Sequence, residues 1–392
     1  MSMQIKDLSG VLSSLLGSNR TIKESKISNL LARGENYGSL MLKLDVTIEN
    51  EEGKEDVWHL VGKTLPETEL FRGIFYVHTT YTNEMAFYDT IVPTLQNFQK
   101  DLGISNIIDC FPKCYASRKN LLKNSDVIDD DAIIILENLQ ATGYVNIDRT
   151  IGFDFPTTLL ILSDLARLHG VSLALKLKYP TRFEEKIKCY CVPFKPSHQD
   201  LLPILRRVVA ENEEIAHLAP KILPWGTHPR SPNNEPFVSL IHADTWTNNT
   251  LQKFENGEAI SNKFVDFQIF QYGSPAADVF FFLFSSVPQD ILEPNLDYFL
   301  KYYHTGLVEV LEDHKCSSAE FGFERFMQEM ESVSFYEFPH SFLFHTLFVN
   351  ARKGGHDLEN LDEDQVFSDI PLKVKQKSWY MVKECSRRGW FK

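Results

Sequence analysis

The segment His242-Ala243-Asp244-Thr245-Trp246-Thr247-Asn248-Asn249 follows the apolar stretch Phe237–Ile241 and crowds a histidine, an aspartate and two asparagines into eight positions. Packing requires none of them there, so the segment is either a capped turn or a holder of charge. Asp244 and Asn249 lie five apart in a predicted loop. Further on, Asn256-Gly257 favours a tight hairpin, because both central positions of such a turn need positive φ. The returning strand comes back beside Phe264–Asp266, so Asp244, Asn249 and Asp266 are expected to converge at the hairpin's open end. Asx turns account for one or two of these residues but poorly for the set.

Two carboxylates and an amide oxygen are hard ligands of the kind Mg²⁺ takes when phosphate and water fill most of its shell. A carboxylate left off the metal would face an incoming hydroxyl, which is the division of labour in phosphoryl transfer from ATP. That chemistry also needs a cation on the nucleotide phosphates, held by a carboxylate. Lys63 ends a predicted strand, and Glu84 stands twenty-one residues later at the start of a helix. Upstream, Gly34-Glu35-Asn36-Tyr37-Gly38-Ser39 forms a turn able to lay backbone N–H groups over phosphates. Glu137-Asn138-Leu139, after the strand Ile133–Leu136, is placed to offer its backbone to an adenine edge.

These residues need two kinds of support. Residues 33–63 read as antiparallel β-structure, 81–90 as a helix and AIIIL before Glu137 as a further strand, giving a small β-rich lobe over 1–139. From Phe155 leucines recur at three- and four-residue intervals, and helices dominate a larger lobe over 140–392, interrupted by the hairpin. Leu8, Val11, Leu12, Leu15 and Leu16 are spaced for an amphipathic helix rather than a signal peptide.

The chain has 392 residues, a net charge of -13 and 43% hydrophobic residues. That charge argues against nucleic-acid and anionic-membrane partners. Continuous apolar runs such as Val279–Phe284 are far shorter than the roughly twenty residues of a membrane span, so a cytoplasmic protein is expected. Cys110, Cys114, Cys189, Cys191, Cys316 and Cys385 lack zinc-site spacing and read as reduced thiols. Protein partners are left open.

The motifs GENYGS, LVGKTLP, NEMAFY, ILENL, LARLHG, IHADTWTNNTL and FVDFQIFQYGSPAADVFFFL, in that order over about residues 30–350, resemble the insect ecdysteroid kinase-like family, related to choline and aminoglycoside kinases. The resemblance implies an α+β, two-lobed protein-kinase-like fold. It further implies Asp244 as catalytic aspartate, Asn249 and Asp266 as Mg²⁺ ligands, Lys63 with Glu84 as the phosphate-binding pair, and Gly34–Ser39 as the phosphate loop. Asp278 would be a structural acid. Alanine stands at 243 where the family usually has glycine.

The expected activity is ATP-dependent phosphorylation of a small-molecule hydroxyl, with an ecdysteroid as the implied acceptor. Choline-like or xenobiotic alcohols are alternative acceptors, and a nucleotide-binding pseudokinase is the alternative outside catalysis. Protein-kinase activity is excluded, because only eleven residues separate Asp266 from Asp278 and no Ala-Pro-Glu follows. Phe335, Tyr336, Phe338 and Phe342 are candidates to line the acceptor site, with core packing as the competing role. His169 is expected to pack or bridge, and His242 to support Asp244 through the loop backbone.

Overall fold

Leu42, Leu44, Val46 and Ile48 alternate along a strand, and all four are buried on one face of a five-stranded antiparallel sheet. The computed structural model describes residues 5–30, 39–66, 72–73, 76–122, 125, 127–191, 201–223, 235–349 and 362–390. In the sheet, β1 (Arg20–Asn29), β2 (Leu40–Asn50), β3 (Glu55–Thr64), β4 (Cys114–Arg118) and β5 (Ile133–Glu137) lie in the order β1-β2-β3-β5-β4. The N-terminal leucines, expected as one amphipathic helix, pack onto it as two short helical turns, Leu8–Val11 and Ser13–Leu16, meeting at Leu12. Truncating a fully buried member such as Leu44 to alanine is expected to cost about 2–5 kcal/mol.

Two strands escaped the sequence reading. β1 is polar and exposed along most of its length, so it carries no period-two apolar signal. β4 is only half-buried at every position. The predicted helix is real and longer: Val77–Ala86 runs through a π turn at Phe87–Ile91 into Val92–Asp101. With β6 (Tyr144–Val145) the sheet, the N-terminal turns and the helix as far as Pro93 belong to a unit comprising Met1–Pro93, Phe111–Val145 and Val265–Gln268.

The second unit comprises Thr94–Cys110, Asn146–Phe264 and Ile269–Lys392 and is mainly helical. Its longest predicted helix spans Phe155–Lys178, where the Asp154 side chain accepts the Thr157 N–H and Pro156 sits in the first turn, both ordinary helix-start features. Gly170 lets the helix Gln289–Asp313 approach closely, since a Cβ there would lie 2.6 Å from Val310 Cγ1. Phe155–Lys178 is long and apolar enough to cross a bilayer by length and composition, but 78% of its most apolar window is buried inside the protein. The helix Pro275–Ser286 is buried at every residue and carries the Val279–Phe284 run into the core.

β7 (Ser239–Ile241) pairs with β10 (Gln271–Gly273) and leads into the polar loop. β8 (Thr250–Glu255) and β9 (Glu258–Phe264) form the predicted hairpin, with φ of 51° at Asn256 and 85° at Gly257. A bulge at Lys253/Phe254 shifts the register by one, so Thr250 faces Phe264.

Candidate active site

Lys63 lies on β3, between β2 and β5, and is almost fully buried. Its Nζ forms an ion pair with Glu84 Oε2 at 2.5 Å and donates a hydrogen bond to Asp266 Oδ1 at 2.7 Å. The predicted Lys63–Glu84 pairing is therefore present, and Asp266 joins it. Two contacts fix the trio. Tyr81, one turn before Glu84 on the same helix, donates its hydroxyl to the Lys63 carbonyl at 2.6 Å. Phe267, the neighbour of Asp266, stacks on Phe87 of that helix's continuation at 3.6 Å with the planes 8° apart.

Burial alone would lower the Lys63 pKa, but the charges of Asp266 and Glu84 outweigh it and hold the lysine above its usual value. Burial likewise pushes Glu84 up, to about 7, with Lys63 opposing and Asp266 adding to the rise. Glu84 is 1% exposed and Asp266 17%, so Asp266 is the carboxyl of the trio open to a further ligand.

The polar loop belongs to the second unit. Asp278, in the first turn of Pro275–Ser286, accepts the backbone N–H groups of His242 and Ala243, both at 2.7 Å. His169 Nε2 lies 3.1 Å from the same carboxylate, and its Nδ1 is 2.8 Å from the Tyr303 hydroxyl. Burial would raise the Asp278 pKa, yet the His169 hydrogen bond and the charges and N–H around it hold it below the ordinary value. His169 is thus a bridge, as expected.

Ala243 has φ of 70°, in the left-handed region that favours glycine. The Asp244 N–H donates to His242 Nδ1 at 3.3 Å, which makes that nitrogen the acceptor. Asn249 Nδ2 donates to the Asp244 carbonyl at 2.9 Å and to Asp244 Oδ2 at 2.8 Å. With both amide hydrogens engaged, Oδ1 is the face of Asn249 turned to any ligand. Asp244 itself is half-buried.

Asn249 Oδ1 and an Asp266 carboxylate oxygen are hard donors and fit Mg²⁺. Among the described residues no group of three or more His, Cys, Asp or Glu could hold a metal alone.

Several expected residues have other settings. Gly34, Asn36, Tyr37 and Gly38 lie outside the described residues, while Ser39 is buried. Glu137 donates its N–H to the Lys113 carbonyl, and the Asn138 side chain caps the short turn that begins with buried Leu139. Tyr336, Phe338 and Phe342 are buried, and the ring pair Phe338–Phe342 stacks at 5.6 Å, so these three belong to the core, whereas Phe335 is exposed. Two residues that hold the site in place were not anticipated. Ser286 Oγ accepts the Thr247 N–H at 3.2 Å, and Tyr81 braces Lys63. Paired serines closing the apolar run FFFLFSS were the available signal, because buried hydroxyls require partners.

The sequence profile of the ecdysteroid kinase-like family matches residues 33–316. This chain belongs to the ecdysteroid kinase-like family. It has a kinase-like α+β fold, with a β-rich first unit and a larger, mainly helical second one. Among solved structures, a Plasmodium vivax ethanolamine kinase is 12% identical, with 93% of this chain and 84% of that chain covered and a TM-score of 0.40. A choline kinase from Cryptosporidium parvum Iowa II is 10% identical, with coverages of 93% and 89% and a TM-score of 0.40. The GDP complex of wild-type aminoglycoside 2′-phosphotransferase-IIIa is 11% identical, with coverages of 96% and 99% and a TM-score of 0.43. A search of curated proteins finds no match.

Proposed function

We propose that this ecdysteroid kinase-like protein transfers the γ-phosphate of ATP to a hydroxyl of a small molecule, with an ecdysteroid as acceptor. The observation that carries the transfer reaction is the clamp of Asn249 on Asp244 within a loop pinned by Asp278. It fixes a carboxylate where it can accept a hydroxyl proton. Asp244 orients the acceptor oxygen and takes its proton as the bond to phosphorus forms. Lys63, steadied by Glu84, binds the nucleotide phosphates. Asn249 and Asp266 would hold Mg²⁺, which when bound neutralises phosphate charge. Ser39 and the rest of Gly34–Ser39 would cover the phosphates, and the Glu137–Leu139 backbone would meet the adenine.

The steroid acceptor rests on family membership alone, since Tyr336, Phe338 and Phe342 of the aromatic segment offered for it from sequence pack into the core. Purified protein incubated with radiolabelled ATP and Mg²⁺ over hydroxysteroids, choline and plant alcohols tests both statements. Phosphate on an ecdysteroid hydroxyl, seen as a mass gain of one phosphate, is expected. Turnover of choline well above any steroid would overturn the acceptor and keep the chemistry, while no turnover of any alcohol would overturn the reaction.

A further inference from the structure

Lys377 sits in the helix Leu372–Arg387 with only 5% of its surface exposed. Among the described residues it has no ion-pair or hydrogen-bond partner, whereas Lys63, equally buried, has two carboxylates. An unpaired buried ammonium is costly. Lys377 lines a cleft of 450 Å³ in the helical unit, within the size range of small-molecule sites. Lys373, one turn earlier on the same helix, Arg149 and buried His345 line it too. The acids of the cleft, Asp290 and Glu293, are exposed, and Glu293 accepts a hydrogen bond from Gln289 at 2.9 Å. Ile151, Pro288, Val349 and Val374 supply apolar wall. Ser286, which holds the Thr247 N–H, is also part of the lining.

We propose that this cleft binds an oxyanion, the sulfate, phosphate or carboxylate group of a mainly apolar organic molecule, with Lys377 as its principal partner. One deep lysine with Arg149 and exposed Lys373 nearer the mouth, carboxylates that are themselves exposed, and apolar walls fit such a ligand better than they fit a neutral alcohol or a cation. Burial, with the like charge of Lys373 added, pulls the Lys377 pKa down to about 7. Above that pH the free amine is largely neutral, so anion binding must take up a proton, and affinity falls as pH rises. The titratable and charged groups that share the cleft with Lys377 are Lys373 on its own helix and Arg149, His345, Asp290 and Glu293 on the elements packed against it. The site is independent of nucleotide and of turnover, so its fate does not depend on the kinase reading.

The test is calorimetric titration of the full chain, without nucleotide, with inorganic phosphate, a steroid sulfate ester and the uncharged parent steroid. Both anions are expected to bind, with proton uptake at pH 8 revealed by a binding enthalpy that changes with buffer. Lys377→Met should weaken them by about tenfold or more, while Lys377→Arg keeps most of the affinity. Ester binding tighter than phosphate by about tenfold would identify an organic acid as the occupant, and equal affinities a free oxyanion; with dependence on Lys377, either upholds the site. Equal binding to wild type and Lys377→Met, no binding of either anion, or equal affinity for the ester and its parent would overturn it. Lys377→Met removes a buried charge and should melt no lower than wild type; should it fail to fold, the Lys377→Arg affinity and the proton uptake decide.

Discussion

Asn249 gives both hydrogens of its side-chain amide to Asp244, at 2.9 Å to the carbonyl and 2.8 Å to Oδ2. One side chain therefore sets the carboxylate's direction, and its Oδ1 is the oxygen proposed to ligate Mg²⁺. Asn249→Ala should impair both roles at once, lowering turnover and weakening the stabilisation that Mg·ATP gives. A variant with normal turnover would remove Asn249 from the site.

Separating the two aspartates is the next step. Asp244→Asn should lower kcat by about 10²–10⁴-fold and keep the rise in melting temperature that a native-state ligand produces. Asp266→Ala should lose that rise with Mg·ATP. Equal loss of nucleotide binding in both variants would contradict the assigned roles.

Lys63→Met addresses the phosphate-binding pair. Because the lysine is buried between two carboxylates, and not solvated at a strand end, its removal leaves Glu84 and Asp266 facing each other uncompensated. A raised KM for ATP, lower kcat and destabilisation of about 3 kcal/mol are expected. Denaturant unfolding and steady-state kinetics on one preparation measure all three, and unchanged kinetics would make the pair purely structural.

Asp278 anchors the loop that carries Asp244. Asp278→Ala orphans two buried backbone donors and should cost about 3 kcal/mol or more. Its folded pKa is depressed, so its contribution is fully present above the unfolded value and is lost as pH falls through the lower folded one. Below about pH 4 wild type should lose stability more steeply than Asp278→Ala, as followed by urea midpoints.

Ala243→Gly tests the strained turn. A left-handed alanine costs about 1–2 kcal/mol, and the extra freedom of unfolded glycine returns about 0.4–1 kcal/mol of that. A net gain of roughly 0.5–1 kcal/mol is expected, read as a higher melting temperature; a loss would show that the Ala243 methyl group has a packing role that outweighs the strain.

What the sequence disclosed depended on how local the constraint was. Asn256-Gly257 revealed its hairpin because positive φ is written in those residue types. Lys63 and Glu84 were legible only through chain order, since nothing local distinguishes a buried lysine from a solvated one. Lys377 shows this from the other side: KVKQKSWY reads as the wet face of a helix, and only tertiary packing buries it. Sequence alone leaves the aromatics Phe335, Tyr336, Phe338 and Phe342 between core and acceptor lining for the same reason, because aromatic density does not tell one from the other. β1 stayed hidden because an exposed strand has no face to encode.

That strand bears on how the protein behaves in a crowd of its own copies. β1 is the outermost member of its sheet, and its ten residues include Arg20, Lys23, Glu24 and Lys26, with Lys23 in ion pairs to Glu49 and Glu55. A long outer strand is a template on which another chain can continue the sheet, and interspersed charge opposes that docking. The polarity that made β1 hard to recognise is therefore a guard against edge-to-edge aggregation, maintained at the cost of contributing almost nothing to the core.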